Sequence, residues 1–236
     1  MLACHRIAPT IAAPRCGRHG AGQAGRLRRG GSCFSSSRSR TGTPAGRPPN
    51  YADERQGLGR VLNLHRALAH IPSLARHFEA MTGELKAQMG LRRYELVTIA
   101  AALALRSSYC ALAHASVLLR DGMEPDELLR IVTDPPGAAL TGAEREMMAY
   151  AGEIARDAAA IDPARIERLR AHGFADAEIS RIAATAALRS FFSKYLDAVG
   201  TAPDADYLAL PPELREALVR GRAIAAAPGD TAAPPA

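Results

Sequence analysis

Shifted by 83 residues, the chain matches itself. Residues 92–115, RRYELVTIAAALALRSSYCALAHA, align with 175–198, ADAEISRIAATAALRSFFSKYLDA, at nine of 24 positions, with Gly90 over Gly173 just before. An Ala-rich composition inflates such a count. The run Leu105-Arg106-Ser107 over Leu188-Arg189-Ser190 is harder to obtain by chance. Two copies of one unit, each with apolar surface to hide, are expected to pack against one another.

That unit reads as helical. From Gly57 onward Ala and Leu dominate, Arg and Glu fill the polar positions, and β-branched runs are absent. Pro72, Gly90, Gly122, Pro135-Pro136, Pro163, Gly173, Pro203 and Pro211-Pro212 punctuate the text. Between them the spacing predicts helices near 58–69, 73–89, 92–106, 108–120, 125–133, 142–158, 163–171, 176–189, 191–199 and 212–225. The expected class is all-α, a two-repeat helical bundle with a disordered N-terminal tail. The expected division is a basic tail over 1–56, a helical repeat domain over 57–204, and a C-terminal helix with an Ala/Pro tail over 205–236. Within the domain the first copy spans about 73–120 and the second about 156–200.

Charge separates tail from body. The chain carries 30 Lys+Arg against 24 Asp+Glu, yet residues 1–50 hold nine Arg and no Lys, Asp or Glu. The remainder is mildly acidic, so the basic balance belongs to the tail and nucleic acid is discarded as the main partner. The tail is rich in Gly and Ser and has no apolar period, which fits disorder. A mis-assigned start and an acid-free transit peptide are the other readings. Cys4, His5, Cys16 and His19 match no common zinc spacing. Four Cys in 236 residues, three of them before position 34, cannot form a disulfide framework. The apolar stretch Leu96 to Leu105 ends at Arg106, far short of the ~20 residues of a membrane span.

The residues that could carry chemistry fall in the first copy. Residues 94–119 are strongly apolar, and their potentially titrating groups include Glu95, Arg106, Tyr109, Cys110 and His114. Polar groups are costly to bury without partners, so these are expected to find one another. Cys110 and His114 are four residues apart on one helix and therefore share a face. Ser107 falls at or just before the start of that helix, so Cys110 lies near an N-terminus, where the dipole and a basic neighbour favour a thiolate. Glu95, on the preceding helix, could orient the imidazole and complete a Glu–His–Cys relay.

Structural uses compete. Cysteine is often buried as a small apolar residue. Glu95 follows Gly90 as Glu127 follows Gly122 and Glu178 follows Gly173, which places each in the first turn of a helix. His114 could be a satisfied core histidine. A metal site of Glu95, Cys110 and His114 lacks a usual ligand spacing. In the second copy Ser193 and Asp197 stand where the first has Cys110 and His114, so only the first has a nucleophile.

The order Glu95, Cys110, His114 within ELVTIAAALALRSSYCALAH resembles the alkylhydroperoxidase D (AhpD-like)/carboxymuconolactone decarboxylase family, whose motif is a Glu followed by Cys-x-x-Cys-x-x-x-His. VLNLHRALAHIP at 61–72, LTGAEREMMAYAGEIARD at 140–157 and FADAEISRIAATAALRSFF at 174–192 resemble flanking segments of its two-repeat, peroxidase-related branch. The resemblance spans roughly 57–204. It implies that Glu95 is the relay carboxylate, Cys110 the peroxide-reacting Cys and His114 the relay His. Tyr109 falls where a His or Tyr is common. Ser107 replaces the first motif Cys, so no disulfide can form within the motif, and a sulfenic acid on Cys110 would need an external thiol.

Three functions follow as expectations. The first is a one-Cys, thiol-dependent peroxidase-like oxidoreductase, with Cys110 attacking a hydroperoxide, His114 and Glu95 relaying protons, and Ser107 donating to the sulfur or the leaving oxygen. The second is a decarboxylase-like lyase or isomerase that uses His114 and Glu95 alone. The third is a helical scaffold with a decayed site. The expected partners are a hydroperoxide or other small-molecule substrate and an external thiol reductant, with no nucleic acid and no membrane. No cofactor and no metal is expected. A homo-oligomer, trimer or hexamer, and a cytoplasmic location complete the reading.

Overall fold

The computed structural model describes residues 61–226. The expected basic tail and the Ala/Pro terminus lie outside the described residues. Among the described residues there are nine α-helices and three short 3-10 turns, and no strand. In chain order they are α1 (Asn63–Leu68), α2 (Pro72–Met89), α3 (Leu91–Ala104), α4 (Ser108–Arg120), α5 (Pro125–Thr133), α6 (Gly142–Asp157), α7 (Pro163–Ala171), α8 (Asp176–Ala198) and α9 (Pro212–Leu218). The all-α class is as expected.

Helix α3 is the centre. It is apolar nearly all round, as a helix enclosed by others must be. Leu96, Val97, Ile99, Ala101 and Ala102 are fully buried on it. It packs on α6, α4 and α8, while α6 also packs on α8. Helix α9 closes one end against α5 and α4.

The starts of the helices follow local chemistry. Thr141 caps α6 in a reciprocal box with Glu144, and Asp162 accepts from Ala164 N ahead of α7. Pro72, Pro125, Pro163 and Pro212 open their helices, where a missing N–H costs nothing. Gly90 and Gly173, aligned in the repeat, adopt φ of 78° and 88°, a region that side chains disfavour.

The two Leu-Arg-Ser tripeptides behave differently. In the first copy α3 ends at Ala104. Arg106 turns left-handed at φ 58°, Arg106 N donates to Leu103 O (3.1 Å), and Ser107 N donates to Ala102 O (2.9 Å). That is a Schellman turn with arginine where glycine is usual. In the second copy α8 runs unbroken for 23 residues through Leu188-Arg189-Ser190. The expected break between 189 and 191 is therefore absent. No Pro or Gly lies between Asp176 and Ala198 to force one, and Phe192, Ser193 and Leu196 bury the helix beyond that point. The last helix also stops earlier than expected, at Leu218. The chain then turns so that Gly221 N donates to Ser108 Oγ (2.9 Å) and Arg106 Nε donates to Arg220 O (3.1 Å).

Candidate active site

Glu95 is the fifth residue of α3 and fully buried, not a first-turn helix acid. Glu127 and Glu178 do occupy first turns. The difference is the helix start: α3 begins directly after Gly90, whereas α5 and α8 begin three residues after their glycines, so Glu95 falls deeper along its helix and reaches α2 and α4. Its Oε2 lies 2.5 Å from His114 Nδ1, and its Oε1 accepts from Lys86 Nζ of α2 at 2.7 Å. Burial alone would push the Glu95 carboxyl up, but the hydrogen bonds and charges of His114 and Lys86 outweigh it and hold the group below the usual carboxylate range. Burial pushes His114 down to about 4, and the positive charge of Arg189 acts in the same direction against the Glu95 hydrogen bond. At neutral pH the pair is thus a carboxylate and a neutral imidazole. The short contact assigns the proton on Nδ1 to the bond with Glu95, which leaves the Nε2 lone pair as the basic atom. Nε2 makes no hydrogen bond among the described residues.

Cys110 is the third residue of α4, buried and unoxidised. It shares a face with His114, but the two form no hydrogen bond. The sulfur instead receives Nη1 of Arg189 at 3.4 Å. Arg189 comes from α8 and is 4% exposed. Its guanidinium lies 5.9 Å from the Phe78 ring and 5.6 Å from that of Phe192, two rings stacked 4.1 Å apart. Arg106, one of the titrating groups expected to gather here, turns to Arg220 O instead. Its repeat partner is the one that reaches the sulfur.

Ser107 is buried and does not donate to Cys110; its side chain interacts instead with the carboxyl of Asp197 on α8. The backbone of Ser107 closes the Schellman turn and turns the hydroxyl out of line with the sulfur. Tyr109 is a strut. Its hydroxyl donates to Asp204 Oδ2 (2.5 Å) and accepts from Leu64 N (3.2 Å), while Asp204 Oδ1 accepts from Asn63 N (3.0 Å). Burial, together with the Asp204 bond, drives the Tyr109 hydroxyl far above its ordinary range, so it stays a phenol.

Lys86, Glu95, Tyr109, Cys110, His114 and Arg189 line one cavity of about 660 Å³, and Ser107 does not. Its floor holds Cys110, His114, Glu95 and Arg189; Phe78, Phe192, Leu62, Leu68 and Val117 form apolar walls; and Tyr207 and Leu210 lie across it from the segment before α9. His65, given no role in the sequence reading, also lines it. Lys86 and Arg189 were missed. The signals were faint: Lys86 is one of two lysines in the chain, and Arg189 is the single charge within Ile182 to Phe192. No group of three or more His, Cys, Asp or Glu suited to a metal exists among the described residues, and none of their helices is long and apolar enough to cross a membrane.

The helical bundle that carries this site has solved relatives. The carboxymuconolactone decarboxylase family model matches residues 72–151, which contain α2 to α5 and most of α6. The AhpD core of an uncharacterized peroxidase-related protein from Ralstonia eutropha JMP134 superposes with TM-score 0.58 at 25% identity, over 68% of this chain and 86% of that one. A second uncharacterized peroxidase-related protein, from Silicibacter sp. TM1040, gives TM-score 0.58 at 24% identity, over 67% and 85%. A Cys-to-Ala variant of the debrominase Bmp8, in complex with 2,3,4-tribromopyrrole, shares the fold at TM-score 0.56 and 17% identity, over 71% and 87%. No curated protein matches the chain. The family model and the peroxidase-related neighbours support an AhpD-like/carboxymuconolactone decarboxylase family assignment for this chain.

Proposed function

We propose that the protein is a single-cysteine, thiol-dependent peroxidase-like oxidoreductase. The observation that carries this reading is that Cys110, its sulfur held by the Arg189 guanidinium, shares with His114 a cavity large enough for an organic molecule. The sulfur attacks the distal peroxide oxygen and the O–O bond breaks. The leaving alkoxide receives the proton that the thiol gave up, relayed through His114 Nε2. Cys110 is oxidised to a sulfenic acid and the hydroperoxide is reduced to an alcohol. An external thiol condenses with the sulfenic acid, releasing water and leaving a mixed disulfide. A second thiol then restores Cys110 as the external disulfide departs. Ser107 in place of a second motif cysteine makes the reductant external, and the reduced thiols of a cytoplasmic location suit that demand.

Hydroperoxide consumption with a small thiol donor tests the proposal. Wild type should turn over, and Cys110→Ser should lose that turnover while His114→Gln loses most of it. Equal rates for wild type and Cys110→Ser would remove the thiol mechanism. A second reading, proton transfer by His114 and Glu95 on a small acid or lactone, is favoured by the neutral imidazole and by the missing His114–Cys110 hydrogen bond. It requires activity that survives Cys110→Ser and is lost in His114→Gln. If neither chemistry occurs, the scaffold reading is what remains.

Homo-oligomerisation belongs to the same proposal. Ile71, Met81, Phe191, Val199 and Leu208 are large apolar side chains left exposed on the single chain. Light scattering on the full chain should return a multiple of 25.0 kDa.

A further inference from the structure

Among the described residues Arg189 has no carboxylate counter-ion, and its Nε is buried with no hydrogen-bond partner. The acids that share the cavity are engaged elsewhere or stand apart. Glu95 is held by His114 and Lys86, Asp204 binds Tyr109 and Asn63, Glu79 is exposed on α2, and Asp206 is exposed beside Tyr207. A guanidinium this deeply buried would normally sit against a carboxylate, because the desolvation cost otherwise goes uncompensated. The nearby Phe78 and Phe192 rings compensate only part of it. What the guanidinium does touch is the sulfur of Cys110 and the neutral hydroxyl of Tyr94.

We propose that Arg189 is a catalytic and specificity-determining residue for the chemistry of Cys110: it holds the sulfur through Nη1, and its uncompensated positive charge favours reaction partners that carry a carboxylate. This deepens the thiol reading above and rests on it. As the S–O bond forms and the O–O bond breaks, negative charge passes from sulfur to the leaving oxygen, and a fixed cation beside the sulfur stabilises that redistribution. A substrate acid group in the cavity supplies the anion that the fold itself withholds. The class of substrate is then an apolar molecule bearing both a hydroperoxide and a carboxylate, its body on the Phe78/Phe192 wall.

Charge selectivity of alkylation tests this without reference to turnover. Iodoacetate and iodoacetamide form the same C–S bond and expel the same iodide, but only iodoacetate is an anion. Modification of the Cys110 peptide in the intact protein, followed by mass spectrometry, gives the ratio of the two rates. Free cysteine in the same tube is the reference. The wild-type ratio should exceed that of free cysteine by roughly tenfold. Arg189→Lys should keep most of the preference, and Arg189→Met should abolish it while circular dichroism and melting stay near wild type. A wild-type ratio no higher than that of free cysteine would overturn the inference, even if the Met variant fails to fold. An unchanged ratio in a folded Arg189→Met protein would do the same. The two readings fail separately. Anion-selective alkylation with no hydroperoxide turnover would defeat the peroxidase function and leave the role of Arg189 standing, whereas turnover with no selectivity would do the reverse.

Discussion

Arg189 Nη1 meets Cys110 Sγ at 3.4 Å across 79 residues of chain. The contact exists because α8 continues through the tripeptide at which α3 stops. Had Arg189 ended a helix as Arg106 does, its side chain would not project from α8 toward α4. The first copy supplies the sulfur, its neighbouring imidazole and the carboxylate, and the second supplies the cation.

Glu95→Gln should reduce hydroperoxide turnover by about ten- to a hundredfold, within the range for losing a positioned proton-transfer partner. The amide keeps the shape but removes the charge that fixes the proton on His114 Nδ1. Nitrogen NMR of the imidazole should report a mixture of tautomers in the variant and one tautomer in wild type. A single unchanged tautomer would show that Glu95 does not orient the ring.

Acid should weaken the fold through His114. The folded histidine takes its proton only at about 4, against 6.5 for an ordinary histidine. Between those values the unfolded chain binds more protons, so stability is complete above the upper value and falls as pH drops toward the lower one. The loss should reach up to about 3 kcal/mol. His114→Gln should flatten this limb in urea titrations across the window. An equal slope in both proteins would refute the assignment.

Tyr109→Phe should cost about 1–3 kcal/mol, because Asp204 loses a donor in a buried site and Leu64 N loses its acceptor. These bonds tie α1 and the segment before α9 to α4. The effect on turnover should appear mainly in KM, as a loosened cavity wall, with kcat largely kept. A collapse of kcat with KM unchanged would instead give Tyr109 a direct chemical role.

Gly221→Ala should destabilise the C-terminal segment. A Cβ there would lie 2.1 Å from the carbonyl oxygen of Arg106, a backbone atom in the α3–α4 turn. The segment or the turn must shift, at a cost of roughly 1–3 kcal/mol. Hydrogen exchange should rise at Gly221 and Arg106 ahead of the α3 core. No change there would mean that the segment is not docked on the turn.

Much of the helix plan was legible. Prolines and glycines stand at the observed boundaries, and α2 through α7 lie within two residues of the expected spans. Glu95, Cys110 and His114 could be singled out because few other ionisable groups occur in so apolar a stretch. Ser107 looked like a donor to the sulfur because it is three residues from Cys110 in sequence. The Schellman turn places its hydroxyl elsewhere, and only the backbone path records that. Phe191 and Phe192 are adjacent and equally apolar, yet Phe192 is buried and Phe191 is 46% exposed. Adjacent positions on a helix point about 100° apart, so only one can face the bundle.

Helical class, repeat and the spacing of Glu95, Cys110 and His114 were decided by the sequence itself. These depend on local propensity and on periodicity, which act over one or two turns of chain. Tertiary structure alone decided that one Leu-Arg-Ser tripeptide would turn and its copy would not. It also decided that Lys86 would pair with Glu95, and that Arg189 rather than His114 would touch the sulfur. Those outcomes depend on how helices distant in sequence pack around α3, and the burial that favours each conformation does not exist until they have done so.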